Sequence, residues 1–386
     1  MARKSVVIAY AGDISISNGG TNRVVAIAQA LSNAGIDVHL VVSKARNEVH
    51  SDLYQLENVR LHQIPLVDNG VRNQVIRAIL ILFKAKNIAK KNNSILQIEL
   101  ASLAGIACFL GCRNYILDVN DISFNDPQYT NLPFSRIIVR FISTIERAAV
   151  LNASKVIAVS NPMKDFIANE WGVGKESITV IPNGHFSSHI NPNTAESSSI
   201  RSNMIARMGT LFQHFDIGTF IKLAQILEAE GVSVYLIGDG VVRHKIEMLL
   251  KKENINNVTI TGWLPYPEAM SLAERAQILF LAEKRSLTTE VACPVKILDY
   301  AALKKPMVIS DASELSEIAK TKGIALVSVP EEQDSFIQNI KLLLNNESLQ
   351  KDMSLKCEGF SKEYSWEIQG EKFLELIIRC DNACSR

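Results

Sequence analysis

The stretch that decides the fold class is Glu290-Val-Ala-Cys-Pro294-Val-Lys296-Ile-Leu-Asp299-Tyr-Ala-Ala-Leu-Lys-Lys-Pro306-Met-Val-Ile-Ser-Asp311. Proline is favoured in the first turn of a helix, because the N–H that it lacks has no partner there. The stretch therefore predicts a loop, a helix from about Pro294 to Leu303, and a short buried strand, Met307–Ser310, after Pro306 has ended the helix. A loop, a helix and a buried strand in this order are typical of an α/β domain.

The beginning of this helix has the chemistry of an anion site. Its first N–H groups, around Pro294 and Val295, and the positive end of its dipole form a seat for a phosphate or diphosphate. Lys296 lies in the same turn, which is a poor place for a cation unless an anion is bound. Asp299 follows one turn later, where its carboxylate can accept hydrogen bonds from sugar hydroxyls. The pattern predicts a nucleoside-diphosphate cradle, and an ordinary helix of an α/β domain is the alternative that these residues leave open.

Outside this stretch, apolar strands alternate with amphipathic helices in both halves of the chain, which predicts two Rossmann-like α/β domains over residues 1–190 and 203–360. The polar segment 187–202 is predicted to be a linker, and a last helix opens at Ser365-Trp366-Glu367 and runs to about Ile377. The predicted strands are Ser5–Ala11, Asp37–Ser43, Leu61–Val67, Ile95–Ile98, Tyr115–Val119, Lys155–Ser160 and Thr179–Pro182 in the first domain, and Met204–Met208, Val232–Ile237, Val258–Thr261, Gln277–Leu281, Met307–Ser310 and Ala325–Val329 in the second.

Glycines and an aspartate follow several of these strands. Gly19 and Gly20 come after the first strand without forming a GxGxxG fingerprint, and Gly209 and Gly238 follow strands of the second domain. Glycine there allows close approach of the backbone to a ligand at the carboxyl ends of the strands, or it merely forms a turn. Asp121 follows the strand Tyr115–Val119 and is a candidate general base or acceptor-binding carboxylate. A helix cap or turn is the alternative for Asp121.

Length and composition narrow the class of protein. The chain has 386 residues, of which 47% are hydrophobic and 21% are charged, so it can bury substantial cores and is not a disordered protein. Its net charge of +1 argues against a dedicated nucleic-acid-binding protein. The six cysteines form no Cys-x-x-Cys pair, and no histidine lies near either Cys-x-x-x-Cys pair, so no metal site is expected. No signal peptide is recognisable and Leu100–Cys112 is too short to span a membrane, so we expect a cytoplasmic protein with reduced thiols.

Two predicted helices are basic and amphipathic. Val71–Asn92 and Phe134–Val150 both combine lysine or arginine with large apolar residues. The first 190 residues contain 19 basic and 14 acidic residues, a net charge of +5, whereas the remainder contains 22 and 26, a net charge of −4. Such helices can lie on an anionic membrane surface, and the charge favours the first domain as the side that meets a membrane or an anionic acceptor. The alternative is that their charges form the solvated faces of helices packed on the sheet.

Several short motifs follow one another along nearly the whole chain. They are Gly19-Gly20, Glu146 followed by a strand ending at Ser160, Ile181-Pro-Asn-Gly184, the turns Gly238-Asp-Gly240 and Gly262-Trp263, Pro294-x-Lys296-x-x-Asp299-Tyr300, and Trp366 at the start of the last helix. Their order and spacing resemble those of the GT-B glycosyltransferases, especially family 4 and its relatives that build cell-envelope polysaccharides. The resemblance implies two Rossmann-like domains facing across a cleft, with a C-terminal helix, 364–386, that crosses back to the first domain.

The resemblance also implies an activity and a set of site residues. The expected reaction moves a sugar from a nucleotide-diphosphate sugar, a co-substrate and not a cofactor, to a glycan or lipid-linked acceptor without a metal. The expected catalytic residues are Asp121, Lys296 and Arg285. The expected donor-binding residues are Gly19, Gly20, Gly209, Gly238, Trp263, Pro294, Val295 and Asp299.

Departures from the family pattern leave other functions open. Family 4 enzymes often have two glutamates separated by seven residues, and here Val291 and Asp299 occupy those two positions. The Arg and Lys often found after the first strand of the donor domain are missing from 209–216, so Lys284 and Arg285 would supply the positive charge. A same-fold nucleotide-sugar 2-epimerase and a non-catalytic nucleotide-sugar-binding or scaffold protein are therefore alternatives.

Overall fold

The computed structural model describes residues 5–15, 18–44, 56–65, 71–125, 134–186 and 203–384. The chain divides into two compact units. The first unit consists of Met1–Asn183 together with Trp366–Arg386, and the second of Gly184–Ser365. The divisions therefore lie at 183/184 and 365/366, and not at 190 and 360 as the sequence predicts. The predicted linker, 187–202, lies outside the described residues.

In the described residues, a seven-stranded parallel sheet forms the centre of the first unit. Its strand order is β3-β2-β1-β4-β5-β6-β7. The central strands form because they are continuous apolar runs that can be buried on both faces, and Val6–Ala9 in β1 are fully buried. The strands are β1 (Ser5–Tyr10), β2 (Asp37–Ser43), β3 (Val59–Ile64), β4 (Ile95–Glu99), β5 (Tyr115–Val119), β6 (Ala153–Ala158) and β7 (Ile178–Val180).

Helices cover this sheet, and the last helix of the chain belongs to the same unit. They are α1 (Gly19–Asn33), α2 (Val71–Asn92), α3 (Ala101–Phe109), α4 (Ser135–Asn152), α5 (Asn161–Trp171) and α14 (Trp366–Cys384). α14 packs closely on α1, because a Cβ on Gly370 would lie only 2.5 Å from the Cβ of Ala30. The predicted return of the C-terminal helix to the first unit is therefore observed. That helix begins at Trp366 and extends to Cys384, well beyond the predicted end at Ile377.

The second unit has a six-stranded parallel sheet within residues 203–365, in the order β10-β9-β8-β11-β12-β13. Phe215, Phe220, Phe280 and Phe336 lie in one buried cluster that packs against its strands. The strands are β8 (Met204–Met208), β9 (Ser233–Ile237), β10 (Val258–Ile260), β11 (Ile278–Leu281), β12 (Met307–Ser310) and β13 (Ala325–Ser328). The helices are α6 (Ile217–Ala229), α7 (Arg243–Lys252), α8 (Tyr266–Glu274), α9 (Leu287–Val291), α10 (Val295–Ala302), α11 (Glu314–Thr321), α12 (Gln333–Leu344) and α13 (Glu347–Glu363).

Each sheet reverses its strand order at one point, and this positions the candidate sites. In the first unit β1 lies between β2 and β4, and in the second β8 lies between β9 and β11. Ligands of open α/β sheets bind outside the carboxyl ends of the strands at such a point. Functional side chains are therefore expected at the carboxyl ends of β1 and β4 in the first unit and of β8 and β11 in the second.

Some predicted boundaries differ from the observed ones for local reasons. α1 begins at Gly19 and not at Thr21, because the side chain of Asn18 accepts from the N–H of Thr21 and caps the helix two residues earlier. β6 ends at Ala158 and not at Ser160, whose side chain caps α5 by accepting from the N–H of Met163 at 3.0 Å. Among the described residues, no helix is long and apolar enough to cross a membrane.

Candidate functional site

In the second unit, the carboxyl ends of β8 and β11 lie close to the beginning of α10. Gly209 directly follows β8 and has a φ angle of +112°, a conformation that residues with a Cβ rarely adopt. A Cβ on Gly209 would also lie 2.8 Å from Cε of Lys296. Glycine at this position therefore allows the Lys296 side chain, from the first turn of α10, to lie across the end of β8.

The loop after β9 packs directly on the loop after β8. Gly238 has a φ angle of +141°, and a Cβ there would lie 2.5 Å from the carbonyl oxygen of Gly209. The N–H of Gly209 in turn donates to the carbonyl of Ile237 at 2.8 Å. The two glycines therefore hold the ends of β8 and β9 together, beside the crevice.

Four charged or ionisable side chains meet beneath these loops. Lys296 Nζ donates to Glu283 Oε1 at 3.0 Å, and the same oxygen lies 3.5 Å from His214 Nε2 and 3.8 Å from an Arg207 nitrogen. Burial by itself would raise the pKa of Glu283, but Lys296, His214 and Arg207 together lower it well below its usual value. Burial lowers the pKa of Lys296, and Glu283 opposes that effect. The site thus contains a carboxylate that stays ionised and a lysine that depends on it.

Arg207 fixes the loop that carries Gly209. It is fully buried in β8 and donates to the carbonyl oxygens of Gly209 and Thr210, both at 3.0 Å. Its guanidinium lies 4.6 Å from the centre of the Phe215 ring. An arginine in this position turns two carbonyl dipoles towards itself and adds a positive charge below the crevice.

Asp299 is buried and already has a partner. Its Oδ1 accepts a hydrogen bond of 2.6 Å from the hydroxyl of Tyr266, the first residue of α8. Burial raises the pKa of Asp299 to about 7, against the opposing effects of Tyr266 and Lys296. Tyr300, the next residue, lies below the crevice, where its hydroxyl accepts from the N–H of Met208 at 2.9 Å. Asp299 is therefore held in place at the carboxyl ends of the strands, and its protonation changes near neutral pH.

In the first unit, the carboxyl ends of β1, β4 and β5 surround a buried arginine. Arg23 of α1 forms a two-point ion pair with Asp118 of β5, with distances of 2.7 and 2.9 Å. It also donates to the carbonyls of Ile181 and Pro182, at 3.0 and 3.2 Å, in the segment just before the first unit ends. Burial and the neighbouring Asp118 raise the pKa of Glu99 well above its usual value. This buried network fixes the strand ends on which Asp121 depends.

Asp121 lies at the surface directly after β5, two residues beyond Val119. Its Oδ1 accepts from the N–H of Ile122 at 2.7 Å, which holds the carboxylate in a turn. The short turn that follows is fixed from below by Glu146 of α4, which accepts from the N–H of Ser123 at 2.9 Å. Burial raises the pKa of Glu146 to about 7. Asp121 is thus an accessible carboxylate on a defined support.

Two family models match consecutive parts of the chain. The model described as glycosyltransferase family 4 matches residues 17–185, and the model described as glycosyl transferases group 1 matches residues 194–357. The chain belongs to the group 1 glycosyltransferases. One curated relative is an uncharacterized glycosyltransferase, MJ1178, of Methanocaldococcus jannaschii, which is 27% identical over 132 residues, 34% of this chain. The match spans 36% of that relative, about a third of its length.

Solved structures of other proteins share the fold of this group 1 glycosyltransferase. Sucrose-phosphate synthase from Thermosynechococcus elongatus superimposes with a TM-score of 0.80 and 15% identity, over 99% of this chain and 100% of that one. WaaG, a glycosyltransferase involved in lipopolysaccharide biosynthesis, gives 0.73 and 13%, over 97% and 99%. HepE from Anabaena, solved with UDP-glucose, gives 0.71 and 15%, again over 97% and 99%. The fold is that of GT-B glycosyltransferases, as predicted.

The structure brings some of the predicted site residues of this family member together and separates others. Lys296 lies against Gly209 at the end of β8, and Asp299 lies one turn further along α10, where the charge of Lys296 affects its pKa. α10 begins as expected, with Pro294 as its cap residue and Val295 as its first residue. The Pro294 side chain has no acceptor and forms no cap hydrogen bond, whereas its carbonyl accepts from the N–H of Ile297 at 3.1 Å. Gly238 lies beside Gly209. The nucleotide contacts assigned to these residues stay predictions.

Arg285 and Trp263 lie towards the periphery. Arg285 is half exposed and donates to the carbonyl of Asp311 at 2.6 Å and to its carboxylate at 3.0 Å, so its charge is directed to β12 and not to the beginning of α10. The Trp263 side chain, which follows β10, is 55% exposed. Gly19 and Gly20 form the first turn of α1 in the other unit, where a Cβ on Gly20 would lie 3.2 Å from the Tyr10 hydroxyl.

Sequence reasoning missed the acidic and basic residues directly beneath the crevice. Glu283 and Arg207 were not among the predicted site residues, and neither was Tyr266. The sequence does contain a signal for Arg207, because it is the one charged residue in the otherwise apolar run Met204–Met208. A charged residue in a fully buried strand needs a partner, and that partner is Glu283.

Proposed function

We propose that this protein transfers a sugar from a nucleotide-diphosphate sugar to a glycan or lipid-linked acceptor in cell-envelope polysaccharide biosynthesis. The observation that carries the proposal is Lys296, a partly buried ammonium held at the start of α10 beside Gly209. The proposal is supported by the structures of HepE with UDP and with UDP-glucose, and by the role of WaaG in lipopolysaccharide biosynthesis. Those proteins share the fold of this chain, at 13–15% identity.

The proposed chemistry needs positive charge where the diphosphate departs. As the bond from the sugar to the diphosphate breaks, negative charge grows on the leaving oxygen, and fixed donors directed at it lower the barrier. Lys296 and the first N–H groups of α10 supply those donors in the second unit. We propose that they serve in place of a divalent metal, with no cofactor beyond the nucleotide sugar. Asp299 would bind the ribose hydroxyls, and Asp121 of the first unit would bind or deprotonate the acceptor hydroxyl.

A product assay tests this function against the alternatives. Purified protein is incubated with a panel of nucleotide sugars, chosen by thermal shift because ligand binding raises the melting temperature, with and without a lipid-linked acceptor. We expect nucleoside diphosphate to accumulate together with a glycosylated acceptor. Conversion of the donor to an isomeric sugar without acceptor would indicate an epimerase. Donor binding without turnover under any condition would indicate a binding protein.

We also propose that the first unit contacts an anionic membrane, on its inner face. α3 packs against both α2 and α4. On α2, large apolar side chains such as Phe83 are exposed beside basic ones such as Lys84, whereas Ala78 and Leu82 are buried. The exposed large apolar residues on and next to these helices are Val75, Ile76, Ile79, Leu80, Phe83, Phe109, Phe134, Ile137, Phe141 and Leu151. A merely solvated helix face would not carry such a surface, which is the kind that lies in the interface of a membrane.

Vesicle co-sedimentation tests this contact. The Phe83 and Phe141 side chains are 61% and 62% exposed and lie near Lys84 and Arg140, so we expect binding to anionic vesicles at low salt. Binding should weaken as salt shortens the Debye length to about 10 Å at 0.1 M. The double variant Phe83→Ser/Phe141→Ser should lose binding, and Leu355→Ser, an equally exposed apolar residue of the second unit, should not. Absence of binding at every ionic strength would contradict the proposal.

A further inference from the structure

Glu283 is the acidic residue at the centre of the crevice in the second unit, and no motif of the sequence singles it out. It lies two residues beyond β11, and its side chain is almost fully buried. Its carboxylate is the shared partner of three basic groups, since one oxygen lies 3.0 Å from Lys296 Nζ, 3.5 Å from His214 Nε2 and 3.8 Å from an Arg207 nitrogen. A carboxylate in this position decides how those groups are arranged.

The backbone of Glu283 is held on two sides. Its N–H donates to Ser310 Oγ, at the end of β12, with a distance of 3.0 Å. The residues around it pair with the loop after β8, because the N–H of Lys284 donates to the carbonyl of His214 at 2.7 Å and the N–H of Asp216 donates to that of Ala282 at 3.0 Å. The carboxylate therefore has a fixed origin, and Lys296 comes to it from α10.

The charges of the cluster make this acid necessary. Without Glu283, the fully buried Arg207 and the partly buried Lys296 would be two cations with no anion between them. Arginine keeps its proton under all ordinary conditions, whereas a buried lysine loses its proton readily. The other acid that faces Lys296 is Asp299 on the same helix, and burial raises the pKa of Asp299 to about 7, so it is only partly ionised near neutral pH. Lys296 is therefore the group that would become neutral.

We propose that Glu283 is a positioning residue that holds the Lys296 ammonium beside Gly209 and preserves its positive charge for the diphosphate of the donor. This inference rests on the proposed function, because it assigns Glu283 a role in the same donor site. Glu283 touches Lys296 and not the donor, so its effect on donor binding is exerted through the lysine. A diphosphate that binds Lys296 finds a cation that is already oriented.

The test measures how nucleoside-diphosphate affinity depends on pH. UDP, ADP and GDP are titrated calorimetrically into the full-length protein, and the tightest one is followed from about pH 6 to about pH 9, the range in which a buried lysine titrates. Asp299, whose pKa is about 7, ionises within this range, so the affinity of the native protein should change up to about pH 8 and stay level above it. Glu283→Gln keeps the shape of the side chain and removes its charge, so its affinity should fall by about tenfold for each pH unit above the lowered pKa of Lys296.

Two further variants separate positioning from general loss of structure. Glu283→Gln/Lys296→Arg should regain a profile that is level above about pH 8, with higher affinity at high pH than Glu283→Gln, because arginine cannot lose its proton. Lys296→Arg alone is the matched control. Glu283→Asp keeps the charge, and it should bind more weakly than the native protein without the steep pH dependence; it provides the comparison if the glutamine variant does not fold.

The outcomes distinguish this inference from the function on which it rests. If the native protein binds none of the three nucleoside diphosphates, the proposed function is wrong. If the native protein binds one and Glu283→Gln binds it equally at every pH, the positioning role is refuted. The role is also refuted if the affinity of Glu283→Gln is low and independent of pH, or if arginine at 296 leaves its pH dependence unchanged.

Discussion

Replacing Asp299 by asparagine should stabilise the protein and weaken donor binding at the same time. The pKa of this carboxyl rises from 3.8 to about 7 in the folded protein, mainly through burial. A carboxyl group whose pKa is raised on folding binds its proton more tightly in the folded state. Its contribution to stability is therefore complete below about pH 4 and is lost as the pH rises through about 7. At pH 8 the folded protein keeps a buried carboxylate at a cost that asparagine avoids.

The size of the effect follows from the pKa change. A change of about three pKa units corresponds to about 4 kcal/mol at high pH. In the native protein the Tyr266 hydroxyl lies 2.6 Å from Oδ1 of Asp299. Asparagine accepts a weaker hydrogen bond from this hydroxyl, and the weaker bond offsets about 1 kcal/mol of the gain in stability. We expect Asp299→Asn to be more stable than the native protein by about 3 kcal/mol at pH 8, with the gap closing towards about pH 4.

Thermal and urea unfolding at several pH values, together with donor titration, measure both effects. Each kcal/mol should shift the melting temperature by about 2–4 °C for a unit of this size. If Asp299 binds the ribose, the same variant should lose about 1.5–3 kcal/mol of donor binding, the range for hydrogen bonds to charged groups. Asp352→Asn, at an exposed position of α13, is the matched control and should change neither. A stability gap that does not widen with pH would refute the electrostatic reasoning, and unaltered donor affinity would refute the ribose contact.

Three other substitutions test the packing and charges described above. Lys296→Ala should lower turnover by about 10²–10³-fold while the protein stays folded, because it removes the donor that we propose for the departing diphosphate; an unchanged rate in a product assay would contradict this. Gly209→Ala forces a Cβ into a φ of +112° and should destabilise the protein by about 1–3 kcal/mol in urea unfolding, with weaker donor binding. Asp118→Asn leaves the buried guanidinium of Arg23 without its anion and should cost about 3–5 kcal/mol in the same assay; a loss below about 1 kcal/mol would show that the pair is dispensable.

The strands were predictable because burial on both faces leaves a direct mark on the sequence. The observed bounds of Tyr115–Val119, Met204–Met208 and Met307–Ser310 are the predicted ones. The helix after Pro294 was predicted to within one residue at each end, since proline marks where it begins and Pro306 follows its end. Continuous apolar runs and proline positions depend on local physics, so a single sequence reports them well.

Three helices of the second unit have only a weak pattern in the sequence. α11, α12 and α13 were not predicted as helices. The buried residues of α13 are Met353, Cys357 and Phe360, a narrow stripe in a polar sequence of 17 residues. Such a helix contributes little apolar area to the core, and its place is set by neighbours that a local pattern cannot reveal. The polar end of the chain is similar, because α14 continues to Cys384, beyond the end at Ile377 that the sequence pattern predicts.

In the candidate site, too, residues close together in the sequence were predicted and residues far apart were not. Lys296 and Asp299 were identified because both lie in the first turns of one predicted helix, where a cation and a carboxylate indicate a ligand site. Glu283 and Lys296 are 13 residues apart, and Arg207 is 76 residues before Glu283, so their meeting depends on the order of the strands β8 and β11. Arg285 was predicted, with Lys284, to supply the positive charge that is missing from 209–216. The structure gives a different division of labour, in which arginine at 285 pairs with Asp311 and the acid at 283 holds the lysine that carries the charge. In the proposed donor site, a carboxylate would organise the group that binds the anion, and basic residues alone do not identify such a carboxylate.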